Sequence, residues 1–379
     1  MKRRVVFAWM LVSVLAVVVP RVWAQQPPQT DPPRGTFTQD VVMSWDRSSV
    51  PADIELWAPR TLLAYDTDLS KRYGELYMVC ASATDTSTGR CPVVDLLTLL
   101  GSQRTAVSTQ FTEQRTGSVV DIDASASLFR AFAIQDCSLD YWNFEAYGIS
   151  SSIGPTCDRN VAAGTGKGLF ISSSELLKLT AGRWTGTIEL RVLRPTAEHL
   201  ATYVFNFDFT VTDYDAVSIY LPAFEYGNAH VNLDLRYDPI ARMIGGRKDV
   251  DMCLYDGVGS SSEYLGVTVR DAGPRPPGGD GFSVWHPDTT GDESERVDFD
   301  VLLDYAGNKR RMRNGVEEQL HGVDSTALRL VKLPKLDQPV YCVPTPLTLL
   351  TPQFPSSSKR QGVYTGELKI ELRVPTARP

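Results

Sequence analysis

The sequence has few of the residues that metal and catalytic sites require. It has four histidines in 379 residues, and none forms an HxH or HExxH pattern. Its six cysteines include no CxxC pair, so a structural zinc site is not indicated. The string AAGTGKGLF lacks the first glycine and the Ser/Thr of a phosphate-binding loop. The sequence therefore predicts no metal, no cofactor and no enzymatic activity.

Long apolar runs are absent except at the N-terminus. There, basic residues at positions 2–4 precede the apolar stretch Val5–Val19, and Ala24 supplies a small residue for cleavage. The run is shorter than the roughly 20 residues that span a bilayer. This pattern is typical of a secretory signal peptide at residues 1–24, with Gln25 as the first mature residue.

Excess positive charge is also lacking. The formal net charge is −7, and it becomes about −11 once the four cations of the signal peptide are removed. Such an acidic chain argues against a nucleic-acid partner.

All six cysteines follow the signal peptide, and their even number in an oxidising compartment predicts three disulfides. Many pairings are possible, but proximity along the chain favours two of them and leaves the third. The predicted bridges are Cys80–Cys91, Cys137–Cys157 and Cys253–Cys342.

Strand patterns dominate what is present. Ala201–Asp213 places Tyr203, Phe205, Phe207, Phe209 and Val211 on one face, as a half-buried antiparallel strand requires. Only SSSELLKLTAGRW resembles a helix, with a serine cap before Glu175 and a stop at Gly182. The proline-rich start QQPPQTDPPRG is expected to be disordered or extended and too polar to pack. Short strands with almost no helix predict an all-β sandwich class.

One strand phrase occurs twice, at Trp184–Val192 and at Tyr364–Val374. The first copy directs Trp184, Ile188, Leu190 and Val192 inward, and the short connection LRPTAEHL favours a hairpin with the phenylalanine-rich strand that follows. The second copy is followed only by PTARP. Two unrelated amphipathic strands would give the same pattern. If the copies are related, the second sandwich lacks its final strand, and an unpaired edge aggregates unless another chain fills it. The expected strand-accepting face consists of Tyr364, Leu368, Ile370 and Leu372.

Several motifs resemble the minor tip adhesins of class 5 fimbriae, of the colonization-factor antigen and cable-pilus type. They are VDMCLYDG, PVYCVP, QFTEQR, and SSELLKLTAGRW followed by YVFNFDFTVTD, and the similarity runs from about Leu62 to the end. The resemblance implies two immunoglobulin-like β-sandwich domains in tandem, the second lacking its final strand. It assigns residues 25–213 to an adhesin domain, 214–216 to a linker and 217–379 to a pilin domain.

The resemblance also implies the partners and the location. These are a periplasmic pilus chaperone, an outer-membrane usher, a major pilin subunit that donates a strand, and a host glycan or glycoprotein receptor. The protein would be secreted through the bacterial periplasm to the fimbrial tip at the cell surface.

By register with the similar adhesins, Arg194 falls on a receptor-binding arginine. A second such arginine precedes the first half-cystine, where strict spacing to Cys80 gives Glu75 and a shift of three residues gives Arg72. Arg115 is a third candidate cation.

Two other functions are compatible with the sequence pattern. One is a secreted two-domain β-sandwich carbohydrate-active enzyme, although no carboxylate pair stands out among the 45 acidic residues. The other is a stand-alone binding module that is not part of a fibre.

Overall fold

The computed structural model describes residues 25–97, 104–135, 140–143, 145–154, 161–224, 229–334, 336 and 338–375. These residues form β-strands, a single-turn α-helix and short 3-10 turns, so the all-β prediction is confirmed. The predicted signal peptide lies outside the described residues. Among the helices of the described ranges, none has the length and apolar character needed to cross a bilayer.

The strands of the N-terminal half belong to one continuous hydrogen-bonded sheet. They are β1 (Gly35–Asp46), β2 (Ile54–Tyr65), β3 (Tyr77–Val79), β4 (Thr105–Glu113), β5 (Val119–Phe132), β6 (Ala162–Ile171), β7 (Gly182–Arg194) and β8 (Glu198–Thr212). Their order is β1-β8-β7-β4-β5-β6-β2, and β3 also pairs with β7. Their inward side chains share one apolar core.

The hairpin of β7 and β8 provides much of that core. Its register places Trp184 opposite Phe209 and Ile188 opposite Phe205. Each of these four side chains is at most 1% exposed, because strict alternation directs them all to the same face. The hairpin and its inward faces were both predicted from the sequence and are confirmed.

The pairing of β1 was not predicted. β1 runs parallel to β8 along its whole length, from Gly35 opposite Ala201 to Asp46 opposite Thr212. The preceding residues 25–34, here called the N-terminal strap, form no regular element apart from an isolated bridge at Thr30, and Pro27 and Pro32 are buried. The expectation that this segment is too polar to pack is therefore wrong, because its prolines supply apolar surface and need no ladder hydrogen bond.

The C-terminal half contains three smaller sheets. Its strands are β9 (Ser218–Tyr220), β10 (Leu235–Asp238), β11 (Met243–Val250), β12 (Cys253–Tyr255), β13 (Tyr264–Asp271), β14 (Phe282–Trp285), β15 (Arg296–Tyr305), β16 (Asn308–Arg311), β17 (Glu317–His321), β18 (Arg329–Val331), β19 (Val340–Pro344), β20 (Leu347–Pro355) and β21 (Leu368–Arg373). The sheet orders are β10-β11-β20-β15-β14 with β16 on β15, β18-β19-β12-β9, and β17-β13-β21. A second apolar core lies between them.

The helical elements are all short. The α-helix α1 is Ser173–Leu176, and the 3-10 turns are Arg47–Ser49, Leu69–Lys71, Tyr73–Glu75, Tyr214–Ala216, Pro222–Phe224, Glu293–Glu295 and Ser356–Ser358. Ser172 is the N-cap of α1, but the helix is a single turn and ends well before the predicted stop at Gly182. One of the 3-10 turns, Tyr214–Ala216, coincides with the residues predicted as the linker.

Two of the three predicted disulfides are present. Cys80 joins Cys91 with a Cα–Cα distance of 5.2 Å, and Cys253 joins Cys342 with a distance of 5.8 Å. The third predicted pair, Cys137 and Cys157, lies outside the described residues.

Candidate binding sites

The turn between β7 and β8 places a cation and a carboxylate opposite each other. Thr196 and Ala197 have φ angles of 89° and 62°, a conformation that costs energy for residues with a Cβ and most for a β-branched one. The strand register then pairs Arg194 with Glu198, whose Oε2 lies 3.5 Å from Arg194 Nη1. A strained turn thus fixes this pair at one end of the sheet.

Among the described residues, Arg194 forms an ion pair with Glu198 and leaves its Nε without a hydrogen-bond partner. The Arg194 side chain is 29% exposed, but this Nε is buried. The distance to Glu198 is that of an ion pair and exceeds the usual length of an N–H···O hydrogen bond. The guanidinium is therefore held at a surface without being saturated.

The segment before Cys80 lies beside Arg194. Since β3 pairs with β7 through Tyr77 and Leu193, the preceding residues run alongside the end of β7. Arg72 adopts the left-handed conformation and binds Glu75 through two contacts, one of them from Nε to Oε1 at 3.0 Å. These hydrogen bonds raise the pKa of Arg72. The two residues that the sequence offered as alternatives are thus paired with each other.

The N-terminal strap reaches the same end of the sheet. Thr30 exchanges backbone hydrogen bonds of 2.8 and 2.9 Å with Tyr65, and Asp31 accepts one of 2.7 Å from the Tyr73 hydroxyl. Burial first, and then this bond to Asp31, raises the pKa of Tyr73. Arg34, the last residue of the strap, lies 3.4 Å from Glu198 Oε1.

Four cations and four carboxylates therefore gather at this end, and we call them the arginine cluster. Its members are Arg34, Lys71, Arg72, Arg194, Asp31, Asp66, Glu75 and Glu198. Lys71 donates to Asp66, which raises the pKa of Lys71 and lowers that of Asp66. Every cation of the cluster faces a carboxylate, so an anionic ligand must compete with one of these carboxylates.

Arg115 lies elsewhere. It follows β4, and its Nη2 donates to the carbonyl oxygens of Val323 at 3.2 Å and Thr326 at 2.7 Å. Both acceptors belong to the C-terminal half. The structure therefore places Arg115 in the contact between the halves and does not bring it together with Arg72 and Arg194.

The second copy of the repeated phrase forms β21, an edge strand. Among the described residues, β21 pairs on one side only, with β13. Leu368, Ile370 and Leu372 point towards the second core but are only half-buried. A groove of about 710 Å³ opens beside Leu368 and is lined mainly by apolar side chains, among them those of Phe224 and Leu336.

Tyr364 does not belong to that face. β21 begins four residues later, and the Tyr364 ring packs edge-on against His286 with the ring centres 5.8 Å apart. Its hydroxyl donates to the carbonyl oxygens of Arg360 at 2.6 Å and Ser294 at 3.2 Å. The predicted strand is therefore too long at its start, because the chain crosses to β14 through a single bridge at Thr365 before β21 begins.

Sequence reasoning missed two buried cations of the N-terminal half. Arg130 is fully buried and donates to the carbonyl oxygens of Leu76 and Ser151, whereas Lys167 lies over the rings of Trp57 and Tyr203. Both side chains are buried within their strands, Arg130 between the inward residues Leu128 and Phe132, and Lys167 between Thr165 and Leu169. For Arg130, a charge at a position where alternation demands an apolar residue was the available signal; β6 has no such alternation at Lys167.

Comparison with known proteins gives these sites a context. The family of the CFA/I fimbrial subunit CfaE matches in two parts, its first domain at residues 20–214 and its second domain at residues 217–376. The chain belongs to the CfaE family of CFA/I fimbrial subunits. This confirms the resemblance to class 5 fimbrial tip adhesins.

Relatives within that family match over most of their length. The CFA/I fimbrial subunit CfaE of Escherichia coli is 28% identical over 307 residues, which is 79% of this chain and 80% of the relative. The crystal structure of CfaE, the adhesive subunit of CFA/I fimbria of enterotoxigenic E. coli, has a TM-score of 0.69 and 25% identity and covers 93% of this chain and 95% of its own. The chaperone–tip adhesin complex of CFA/I fimbriae has a TM-score of 0.66 and 25% identity and covers 93% and 99%. The family is one of fimbrial adhesive subunits and not of enzymes, as predicted.

Proposed function

We propose that the protein is a fimbrial tip adhesin that binds a host-cell glycan or glycoprotein and starts pilus assembly. The observation that carries this proposal is the match to an adhesive fimbrial subunit across both halves of the chain. In this proposal residues 25–213 form the receptor-binding domain, 214–216 the linker and 217–379 the pilin domain. Two separate apolar cores, on either side of Tyr214–Ala216, support that division.

The pilin domain accepts a strand from a major pilin subunit at β21. The half-buried face of Leu368, Ile370 and Leu372 and the adjacent groove support this role, since an added strand would complete their burial. A periplasmic chaperone covers the edge first, in line with the similarity to a chaperone–tip adhesin complex. An outer-membrane usher then places the protein at the fimbrial tip, on the cell surface.

The receptor site lies at the arginine cluster, with Arg194 as its anchor and Arg72 beside it. A guanidinium presents a planar fork that lysine cannot reproduce. Arg194 is positioned by a strained turn, and its Nε has no hydrogen-bond partner among the described residues. Arg115 is left out of this proposed site, because its Nη2 donates to Val323 and Thr326 of the C-terminal half, away from Arg72 and Arg194.

The test is the change Arg194→Ala in the full mature chain, with Arg183→Ala as the matched control. Arg183 is near the other end of the same strand and also pairs with an acid, Asp208. A hydrogen bond to a charged group contributes about 1.5–3 kcal/mol to binding. Its loss in Arg194→Ala should therefore reduce adhesion to cultured epithelial cells by about tenfold or more. The control should adhere normally. Normal adhesion by Arg194→Ala, with intact folding, would remove Arg194 from the receptor site.

A further inference from the structure

Glu198 lies between two guanidinium groups that come from distant parts of the chain. Its Oε1 is 3.4 Å from Arg34 Nη1, and its Oε2 is 3.5 Å from Arg194 Nη1. One arginine belongs to the N-terminal strap and the other to the end of β7. The two cations are therefore spaced to hold one anionic group between them.

The carboxylate that now occupies this place is loosely held. Both contacts are longer than a good charge-assisted hydrogen bond of about 2.7–2.9 Å. The Arg34 side chain is 63% exposed and that of Glu198 is 44% exposed, and exposed ion pairs contribute little to stability. By contrast, Arg183 and Asp208 of the same hairpin form two hydrogen bonds of 2.9 and 2.6 Å. Glu198 can therefore be displaced at low cost.

The strap positions Arg34 independently of Glu198. Backbone hydrogen bonds at Thr30 and the bond from Tyr73 to Asp31 fix the strap a few residues before Arg34. Immediately after Arg34, the chain enters the parallel pairing of β1 with β8 at Gly35. Removal of the Glu198 charge should therefore leave the Arg34 backbone in place.

We propose that Arg34 and Arg194 jointly bind one anionic group of the receptor, a carboxylate or a sulfate, and that Glu198 is an internal competitor for that place. This inference rests on the proposed function and adds to it both a residue and a ligand class. Glu198 is then a determinant of receptor affinity. Without ligand, the Glu198 carboxylate offsets the repulsion between the two guanidinium groups, and on binding the anionic group of the ligand replaces this carboxylate.

The experiment measures binding of sialyllactose, lactose sulfate and lactose to the purified mature chain and to its variants Glu198→Gln and Arg34→Gln. Glu198→Gln removes the competing charge at constant shape and should tighten binding of at least one anionic probe by about threefold. Arg34→Gln should weaken binding of the same probe by about fivefold or more. Lactose binding should change in neither variant. Comparison of the two anionic probes distinguishes a carboxylate from a sulfate.

Asp208→Asn serves as the control, because it removes a carboxylate from an arginine pair of the same hairpin at the other end. If Glu198→Gln binds both anionic probes no better than the parent chain or Asp208→Asn does, the proposal is wrong. It is also wrong if lactose binding rises equally. If Arg194→Ala abolishes cell adhesion while Arg34→Gln and Glu198→Gln do not alter it, only this inference fails. Normal adhesion by Arg194→Ala would instead contradict the proposed receptor site.

Discussion

The two halves of the molecule contain the same five-residue phrase, IELRV, in different surroundings. In the first half it lies in β7, which pairs with β8 on one edge and with β3 and β4 on the other, and Ile188, Leu190 and Val192 are fully buried. In the second half it covers the last four residues of β21 and the residue after the strand, and its Ile370 and Leu372 are half-buried. The same pattern of inward side chains is thus fully buried in β7 and half-buried in β21. The difference follows from the neighbouring strands, because β7 has a strand on both edges and β21, among the described residues, has one on a single edge.

An ion pair partly compensates for the strand neighbour that β21 lacks on its open side among the described residues. Arg373 reaches past β13 to Glu317 of β17, with Nε–Oε2 and Nη2–Oε1 distances of 2.7 and 2.5 Å. This fork links the outer strands of the three-stranded sheet and raises the pKa of Arg373 while lowering that of Glu317. In the part of the chain that the structure describes, the corresponding arginine of β7, Arg191, forms its ion pair with Glu189 of its own strand.

The largest expected effect comes from truncating the matched isoleucines. Ile188→Ala should destabilise the N-terminal half by about 2–5 kcal/mol, as for a fully buried side chain, whereas Ile370→Ala should cost about 1 kcal/mol. When a major-pilin N-terminal strand is fused after Pro379, the cost of Ile370→Ala should rise towards that of Ile188→Ala. Hydrogen exchange in each half, with and without the fused strand, measures these differences.

The fusion is also the control for this comparison. It should raise the melting temperature of the C-terminal half and leave that of the N-terminal half unchanged. Equal costs for the two alanine variants in the unfused chain would show that the edge of β21 is already covered.

A smaller effect should come from the charge buried in the first half. Lys167 is 5% exposed, and burial lowers its pKa to about 7, well below the value of 10.5 for an exposed lysine. Because the folded pKa lies below the unfolded one, the unfolded chain binds more protons between about pH 7 and pH 10. The free energy of unfolding should therefore rise with pH over this window, by about 2 kcal/mol between pH 7 and pH 9.

Lys167→Met should remove this pH dependence and stabilise the first half at pH 7. The ring centres of Trp57 and Tyr203 lie 4.0 and 3.6 Å from the ammonium and favour its charged form. These rings therefore reduce the stability gained by replacing Lys167 with Met. The free energy of unfolding of the parent chain and of Lys167→Met, measured by chemical denaturation at several pH values, tests this prediction. Parallel curves for the parent chain and the variant would mean that Lys167 is not the titrating group.

The smallest effect concerns the two arginines of the phrase. Arg373→Gln should increase hydrogen exchange in β21, because the link to β17 is lost, whereas Arg191→Gln should leave exchange in β7 unchanged. The difference should shrink at high salt, which screens the exposed pair. Equal protection of β21 in the parent chain and in Arg373→Gln would show that the fork does not hold the edge.

Alternation was sufficient to predict the β7–β8 hairpin, because a period of two fixes which side chains are inward once one face is apolar. Proximity predicted the Cys80–Cys91 bridge, and elimination predicted Cys253–Cys342; both are confirmed. The repeated phrase predicted the position of β21, but the predicted strand began at Tyr364, four residues before β21 begins at Leu368. A local pattern does not reveal where a strand changes neighbours, as this chain does at Thr365.

The arginine cluster could be predicted only in part. Arg194 and Arg72 came from register with similar adhesins, whereas Arg34 and Glu198 carried no local signal. Arg34 precedes Glu198 by 164 residues, and only the parallel pairing of β1 with β8 brings them together. Parallel pairing joins segments distant in sequence, with no turn motif to mark it.

That same pairing has a consequence for the order of folding. β1 is the first strand of the described chain, yet its partner β8 is the last of the N-terminal half. Contacts between such distant segments form late and slowly, because a long loop must close before they can be made. Trp45, at the end of β1, is buried against Phe209 of β8 in the finished core. The Trp45 side of this core must therefore stay open until the chain as far as residue 212 is available to pair, and until then an open core of this kind is accessible to proteases.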